Sequence, residues 1–180
     1  MLNRNLYLLA LVLSLSLSTS AQEISRESLA SPGPYQVAYY SRYPAVPEFS
    51  AATIYFPANK GEDFPGIAIS PGFVESQENM SWWGNHLASH GYAVLTLDTN
   101  ELRDDPSLRA DALMAAIEVL RNEGERMGGT LRGKILNDRM AIMGHSMGGG
   151  GTLIAANANS AELKAAIPFT PWQPDGDFSA

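Results

Sequence analysis

The sequence predicts an α/β domain in which a mostly parallel central sheet carries helices on both faces. Short runs rich in apolar and β-branched residues alternate with helical patterns along the chain, which is the order typical of that architecture. The chain has 180 residues, of which 45% are hydrophobic and 17% are charged, so it suits one folded domain with a sizeable core. One stretch, AIMGHSMGGGGTL at 141–153, joins an apolar strand directly to a helix.

Six runs of the chain predict strands. Each is a short apolar or β-rich segment bounded by turn residues, as expected for a strand that is buried in a sheet. Pro57 ends the second run, and Pro71-Gly72 closes the third. The predicted strands are Val37–Tyr40, Ala52–Phe56, Gly66–Ser70, Ala93–Leu97, Met140–Met143 and Ala165–Phe169.

Three segments predict helices that lie on this sheet. The first covers residues 80–90, and Gly91 suits its C-terminal end. The second covers residues 110–122 and the third begins just after Ser146. In the second, apolar side chains recur at positions i, i+3, i+4 and i+7, which gives the helix one face to pack on the sheet. Those side chains are Leu113, Ala116, Ile117 and Leu120.

Residues 1–21 have the layout of a secretory signal peptide. One positive charge precedes an apolar run at 6–17, and small residues at 19–21 suit cleavage. The run is too short to favour a membrane span, which needs about 20 apolar residues, although an uncleaved anchor is the alternative. We therefore expect a secreted protein, extracellular or periplasmic, with no stable membrane insertion after cleavage. Residues 22–33 are polar, end in Ser-Pro-Gly, and predict a linker.

Charge and cysteine content exclude several classes of function. The formal net charge is −7, which argues against a nucleic-acid partner because such binding rewards clustered Lys and Arg. The chain has no cysteine, which excludes disulfides and thiolate metal sites.

The segment from Gly144 to Gly148 reads Gly-His-Ser-Met-Gly and fits the pattern G-x-S-x-G between a strand and a helix. In that context the pattern predicts a strained turn that lifts the Ser146 hydroxyl clear of the sheet, while side chains at the two glycines would collide with a neighbouring strand or helix. The turn also places the Met147 N–H at a helix N-terminus, where amide donors favour a negative charge. The alternative is an ordinary serine in a tight strand–helix turn.

A second donor for such a charge is expected from the loop after an earlier strand. Residues 70–74, Ser-Pro-Gly-Phe-Val, lie in that place, and the Phe73 N–H is the candidate. The Phe73 ring fits two interpretations equally at this point: a contact for substrate, or a core aromatic after a turn.

The sequence resembles the bacterial cutinase and polyester-hydrolase family, whose members include PET-degrading enzymes. Three long segments carry the resemblance in the same order: PGFVESQENMSWWGNHLASHGYAVLTLDTN, RMAIMGHSMGGGGTL and LKAAIPFTPW. The resemblance runs from about Gly33 to the C-terminus and implies an α/β-hydrolase fold and carboxylic-ester hydrolysis without a cofactor.

The family resemblance also implies roles for individual residues. Ser146 is implied as the nucleophile, and the amides of Phe73 and Met147 as the oxyanion hole. Trp172 is implied as an aromatic wall for substrate, although from the residues alone it fits a surface-anchoring core position equally well. His145 precedes the nucleophile, as in most bacterial cutinases of this type, and is interpreted as a wall residue.

The sequence departs from the family at the catalytic base. The family order is Ser, then Asp, then His, but no histidine follows Ser146. His86 and His90 are four residues apart on a predicted helix, a spacing that can bind zinc, yet the glutamate of H-E-x-x-H is missing and packing is the favoured role. Asp175 and Asp177 lie too early to match the family acid and are not assigned.

These observations predict a secreted serine esterase of which residues 34–180 form an incomplete α/β-hydrolase domain that lacks the last strands. The expected substrate is an ester, polymeric or long-acyl, bound in a groove around Phe73, His145, Met147 and Trp172, with no metal ion. Two alternatives stay open: a lipase or small-ester hydrolase of the same fold, and a catalytically dead polymer-binding fragment without the Asp and His of the triad.

The expectation of an incomplete domain has a direct test. We expect the reading frame to continue past the codon of Ala180 and to encode a Gly-His or Ser-His segment. Sequencing the DNA immediately downstream checks this, and a stop codon directly after Ala180 would contradict it.

Overall fold

The computed structural model describes residues 25–172 and contains a six-stranded sheet. The expected signal peptide at 1–21 lies outside the described residues. All six predicted strands are present, four of them extended by one to five residues at one or both ends. The strands are β1 (Val37–Tyr40), β2 (Ala51–Pro57), β3 (Phe64–Ser70), β4 (Ala93–Asp98), β5 (Ile135–His145) and β6 (Ala165–Phe169).

Strand β5 begins at Ile135, well before the predicted start at Met140. Its first two residues pair with Phe64 and Pro65 of β3, and the register then shifts so that Gly66 pairs with Met140. The three residues skipped by this irregularity are polar and exposed, so they interrupt the apolar pattern from which a strand is predicted.

The helices are α1 (Arg26–Ala30), α2 (Ser81–Ser89), α3 (Pro106–Glu125) and α4 (Met147–Ala158), and a 3₁₀ turn (Gln77–Met80) precedes α2. Helix α3 starts earlier than predicted because Asp105 caps it: its carboxylate accepts a hydrogen bond of 3.0 Å from the Leu108 amide, and Pro106 follows at the first helical position. Helix α1 lies within the segment predicted as a linker and belongs to a separate unit that ends at Ala30.

The strand order is β1-β2-β4-β3-β5-β6. The neighbours β4, β3, β5 and β6 are parallel to one another. Strand β2 pairs antiparallel with β4, and β1 pairs antiparallel with β2. The predicted mostly parallel sheet is confirmed. Because the four parallel strands run in one direction, their carboxyl ends meet at one edge, where open α/β sheets place ligands.

Helices cover both faces of the sheet, as predicted. Alternate residues of each strand point to opposite faces. On one face Ile67, Ile69 and Val94 form a core cluster that includes residues of α2. On the other face Ala68, Leu95 and Ile142 pack with α3 and α4. No helix of the described residues is long and apolar enough to cross a lipid bilayer.

The glycine run in α4 lets the helix approach its neighbours closely. A Cβ at Gly151 would lie 2.9 Å from the Arg109 Cβ and 3.0 Å from the Ala110 N of α3, and one at Gly150 would overlap the carbonyl oxygen of Trp172. Each glycine weakens a helix by about 1 kcal/mol relative to alanine. The close packing of α4 against its neighbours accounts for this run of glycines.

Strand β6 forms one edge of the described sheet. Within residues 25–172 it pairs only with β5, and its first three residues are exposed, including Ile167 with 40% of its surface accessible. An apolar edge strand with free N–H and C=O groups is a template for pairing with another chain.

We expect residues 25–180, expressed alone, to self-associate through β6. Ile167→Lys places a charge on that edge and should shift the population towards monomer, because charged side chains oppose edge pairing. Size-exclusion chromatography with light scattering measures the effect. Met127→Lys, at a site that is 75% exposed and away from the sheet edge, is the control. A monomer that melts cooperatively without any substitution would contradict the expectation.

Candidate active site

Ser146 lies in a sharp turn between the last residue of β5 and the first residue of α4. Its φ is 51° and its ψ is −113°, a conformation that L-residues rarely adopt and that costs about 1–3 kcal/mol. Backbone hydrogen bonds hold this turn: the Ser146 amide donates to the Phe169 carbonyl at 3.0 Å, and its carbonyl accepts from Gly150 at 3.0 Å and Trp172 at 2.9 Å. The turn therefore has the strained conformation predicted at Ser146.

The Ser146 side chain is partly exposed. Among residues 25–172 its hydroxyl makes no hydrogen bond, either as a helix cap or with another side chain. A serine that is held in a strained turn with a free hydroxyl is available to react with a bound molecule.

Gly148 brings the start of α4 against the end of β3. A Cβ at Gly148 would overlap the carbonyl oxygens of Ser70 and Pro71, and a Cβ at Gly144 would overlap the carbonyl of Gly148 itself. These are the collisions that the sequence predicted at the two glycines of the motif. The close approach puts the loop after β3 beside Ser146.

The loop after β3 contains one amide that is left without a partner. The Gly72 amide donates to the Glu75 carboxylate at 2.6 Å, the Val74 amide to the Leu102 carbonyl at 2.9 Å, and the Glu75 amide to the Gly72 carbonyl at 3.3 Å. The Phe73 amide, in the middle of this series, has no acceptor in the described part of the chain. The Met147 amide, at the first position of α4, has none there either.

The free amides of Phe73 and Met147 belong to backbone on either side of Ser146. Gly72, which precedes Phe73, is close enough that a Cβ built on it would lie 3.1 Å from the Ser146 Cβ. The Met147 amide follows Ser146 directly and is at a helix N-terminus, where the dipole favours negative charge. This arrangement can stabilise an oxyanion that forms on a carbonyl attacked by Ser146.

The rings of Phe73 and Trp172 are both at the surface. Phe73 is 48% exposed, so its ring is not a core aromatic. Trp172 is 50% exposed, which fits both of its interpretations, a wall for substrate and a surface-anchoring position. Trp172 is joined to the turn through its amide, which donates to the Ser146 carbonyl.

His145 binds a residue that the sequence did not single out. Its Nδ1 lies 2.9 Å from Glu75 Oε2, the same oxygen that accepts from the Gly72 amide. Partial burial works to raise the pKa of the Glu75 carboxyl, but the hydrogen bonds from His145 and Gly72 outweigh it and hold that pKa below its usual value. Glu75 is therefore an anion close to Ser146. No sequence pattern indicates this contact, because Glu75 lies in a loop and is 70 residues away from His145 in the chain.

Arg109 is completely buried and holds three loop carbonyls. Its guanidinium donates to Pro71 at 2.9 Å, to Leu102 at 3.1 Å and to Asp104 at 2.8 Å. Burial lowers the pKa of the guanidinium, and the nearby carboxylates of Asp104, Glu75 and Asp105 oppose that shift. One feature of the sequence indicates that Arg109 is buried: it precedes Leu113 by four residues and therefore falls on the apolar face of α3.

A cavity of about 430 Å³ opens beside His145 and extends towards α2. The rings of Trp83 and Phe169 stack within it, with centroids 5.1 Å apart and planes at 20°. Of the four residues predicted to form the groove, His145 lines this cavity, while Phe73, Met147 and Trp172 do not. The other lining residues are Glu75, Asn79, Met80, Trp82, Trp83, Phe169 and Thr170.

Two larger cavities, of about 590 and 560 Å³, lie at the opposite end of the sheet. Both are lined by Pro65 near the start of β3 and by Asp138 and Arg139 in the irregular part of β5. Ligands of open α/β sheets bind at the carboxyl ends of the strands, so volume alone would misplace the site.

None of the three histidines hydrogen-bonds to Ser146, and all three lie within the described residues. His86 lies in α2 and His90 caps the C-terminal end of that helix, with ring centroids 4.8 Å apart, and His90 Nε2 is 3.1 Å from the Ser31 carbonyl. In residues 25–172 no three His, Cys, Asp or Glu side chains converge as ligands for a metal ion. Asp175 and Asp177 lie outside the described residues.

Comparison of the sequence with models of known protein families identifies the family of this chain. The family profile described as PETase, PET hydrolase-like, matches residues 22–180, which is most of the chain. The chain belongs to the PET hydrolase-like family. This match covers every residue of the site described above.

Curated relatives of this PET hydrolase-like chain include a cutinase and a hydrolase of a terephthalate ester. Cutinase 1 of Thermobifida cellulosilytica is 42% identical over 153 residues, which are 84% of this chain and 56% of the relative. A bis(hydroxyethyl) terephthalate hydrolase of Streptomyces coelicolor is 43% identical over 145 residues, 79% of this chain and 45% of the relative. The chain spans about half the length of the curated relatives it matches.

The contact of Gly148 with β3 gives a test of the site geometry. We expect Gly148→Ala to destabilise the fold by about 1–3 kcal/mol, because the added methyl group must push backbone carbonyls that cannot move independently. Urea unfolding of the complete gene product measures the change. Asn157→Ala, at an exposed position of the same helix, should stay within about 0.5 kcal/mol of the unchanged protein. Equal stability of Gly148→Ala and its control would show that the packing is looser than described.

Proposed function

We propose that this chain carries the nucleophile and oxyanion hole of a serine esterase that hydrolyses carboxylic esters through an acyl-enzyme. One observation carries the proposal. Ser146 sits in a strained turn with an unbonded hydroxyl, and two unpaired amides, of Phe73 and Met147, flank it. Backbone donors that are fixed before substrate arrives stabilise charge that appears only in the transition state.

In the proposed reaction the Ser146 Oγ attacks the ester carbonyl, and the carbonyl electron pair moves onto oxygen. The Phe73 and Met147 amides hydrogen-bond to this oxyanion. When it collapses, the alcohol leaves with a proton and an acyl group stays on Ser146, to be released by water as the acid. Since no histidine of the 180 residues bonds to Ser146, the proposal assigns proton transfer to a base that these residues do not contain.

The proposed substrate is a polymeric or long-acyl ester. The names of the relatives, cutinase and bis(hydroxyethyl) terephthalate hydrolase, refer to ester hydrolysis. The exposed rings of Phe73 and Trp172 and the cavity lined by Trp82 and Trp83 offer an open aromatic surface, which suits a chain that extends past the site. We also propose export from the cytoplasm, on the basis of the signal-peptide pattern at 1–21.

Ser146→Ala should reduce hydrolysis of a short-chain nitrophenyl ester by the complete gene product by at least about 10³-fold, since removal of the nucleophile removes the covalent route. Release of nitrophenol measures the rate. Ser160→Ala, at an exposed turn outside the site, is the matched control and should keep the full rate. Equal rates for Ser146→Ala and the unchanged protein would favour a polymer-binding role without catalysis.

Two further substrates, assayed on the unchanged protein with Ser146→Ala as the background, separate the two classes of ester. We expect faster release of soluble products from polyester film than of fatty acid from a triglyceride emulsion. The reverse preference would favour a lipase on the same fold.

A further inference from the structure

The peptide group between Pro71 and Gly72 is held at both of its polar ends. Its carbonyl oxygen accepts a hydrogen bond of 2.9 Å from Nη1 of the buried Arg109, and its N–H donates to Glu75 Oε2 at 2.6 Å. A cation on the oxygen and an anion on the N–H both strengthen these bonds, because a charged partner roughly doubles a hydrogen bond. The plane of this peptide is therefore fixed.

The next peptide group carries the Phe73 N–H. The residue that follows Phe73 is held as well: the Val74 amide donates to the Leu102 carbonyl. Arg109 Nη2 donates to that same oxygen at 3.1 Å. Val74 has a φ of 54°, which a β-branched residue adopts only when its surroundings impose it. The two amides that flank Phe73 are bonded, and the Phe73 amide between them is left free.

We propose that Glu75 is a positioning residue: by binding the Gly72 amide and the His145 ring it aims the Phe73 N–H at the oxyanion formed on Ser146. The proposal rests on the esterase function proposed above. Glu75 touches neither Ser146 nor a reacting atom, so it acts through the backbone of Gly72. Arg109 supports the same peptide from the opposite side.

Glu75 also links the two halves of the oxyanion hole. The Gly72 amide belongs to the loop that supplies Phe73, and His145 precedes the turn that supplies Met147. Both donate to one oxygen, Oε2, at 2.6 and 2.9 Å. Because one carboxylate oxygen binds both segments, it fixes the distance between the loop that carries the Phe73 amide and the turn that carries the Met147 amide.

The space around Gly72 shows how tightly this link is packed. A Cβ at this position would lie 2.7 Å from Glu75 Oε2, 3.1 Å from His145 Nδ1 and 3.1 Å from the Ser146 Cβ. Only a glycine lets the carboxylate, the imidazole and the nucleophile converge on one backbone atom. An oxyanion donor must lie within about 2.7–3.1 Å of the developing charge, and an error of about 1 Å in position can cost 10²-fold in rate.

The test compares Glu75→Ala and Glu75→Gln in the complete gene product. The alanine variant loses the acceptor of the Gly72 amide, so we expect kcat for a nitrophenyl ester to fall about 10- to 100-fold with KM changed by less than about 3-fold, because the lost alignment matters only in the transition state. The glutamine variant keeps an oxygen acceptor and should recover most of the lost kcat. Glu78→Ala removes an exposed carboxylate three residues away and should keep the kcat of the unchanged protein.

A second measurement reports the link without relying on turnover. In the ¹H–¹⁵N spectrum of the protein the Gly72 amide proton should resonate downfield, as a short bond to a carboxylate demands, and should move upfield in Glu75→Ala. Thermal unfolding of each variant shows that the fold is retained.

Each outcome decides the proposal. A fall in kcat that glutamine restores, together with the Gly72 shift, supports it. An unchanged kcat in Glu75→Ala, while Ser146→Ala abolishes hydrolysis, overturns the role of Glu75 and leaves the esterase function intact. Equal rates in Ser146→Ala and the unchanged protein overturn the esterase function and, with it, the role of Glu75 in catalysis.

Discussion

The site depends on one close contact, between the backbone of the first turn of α4 and the carboxyl end of β3. Gly148 lies against the carbonyl oxygens of Ser70 and Pro71, where no side chain fits. This contact decides how far Ser146 stands from the loop that contains Phe73. A protein interior is packed as densely as an organic crystal, so one methyl group between these two segments would displace one of them. The glycines of the motif therefore determine the distance between Ser146 and the loop after β3, in addition to allowing the turn itself.

Burial of Arg109 follows from the same arrangement. Two loops at the carboxyl edge of the sheet, the one after β3 and the one after β4, turn three carbonyl groups towards Arg109. A buried carbonyl without a donor costs about 1–3 kcal/mol, and a buried cation without partners costs more. The guanidinium satisfies the carbonyls of Pro71, Leu102 and Asp104 at once, and they satisfy it. Lysine could not replace it, since its ammonium lacks the planar fork that reaches three acceptors in fixed directions.

Local patterns in the sequence predict most of the fold. The strands and the central helices follow from apolar periodicity, and the position of Ser146 follows from a motif whose glycines have a steric reason. The irregular start of β5 could not be predicted, because its polar residues break the periodicity while long-range pairing with Phe64 and Pro65 still holds the strand. Local propensity carries no information about that partner.

The candidate site divides in the same way. Phe73 and Met147 were predicted from their places after a strand and at a helix start, which are local features. The contacts of Glu75 with Gly72 and His145 could not be, because His145 is 70 residues away in sequence and only the folded sheet brings the two together. The cavity beside His145 has neighbours that were not part of the predicted groove, for a related reason: Trp82 and Trp83 belong to α2, whose approach to Phe169 of β6 depends on strand order rather than on any motif.

The contact with Glu75 also holds the ring of His145, which is adjacent to Ser146 in sequence. A carboxylate accepts hydrogen bonds only, so the imidazole must present Nδ1 as an N–H donor to Glu75, and the ring is held against the loop after β3. A general base must reach the proton it removes, within about 3 Å or through one water. Among the described residues no hydrogen bond joins the Ser146 hydroxyl to the His145 ring. In the proposed esterase the described residues thus supply electrostatic stabilisation of the oxyanion. In serine hydrolases that part alone retains about 10³–10⁴-fold of catalysis over water when a triad member is lost. In the proposed enzyme the oxyanion hole is thus built by the loop after β3 and the turn before α4, and its alignment does not depend on the group that accepts the proton of Ser146.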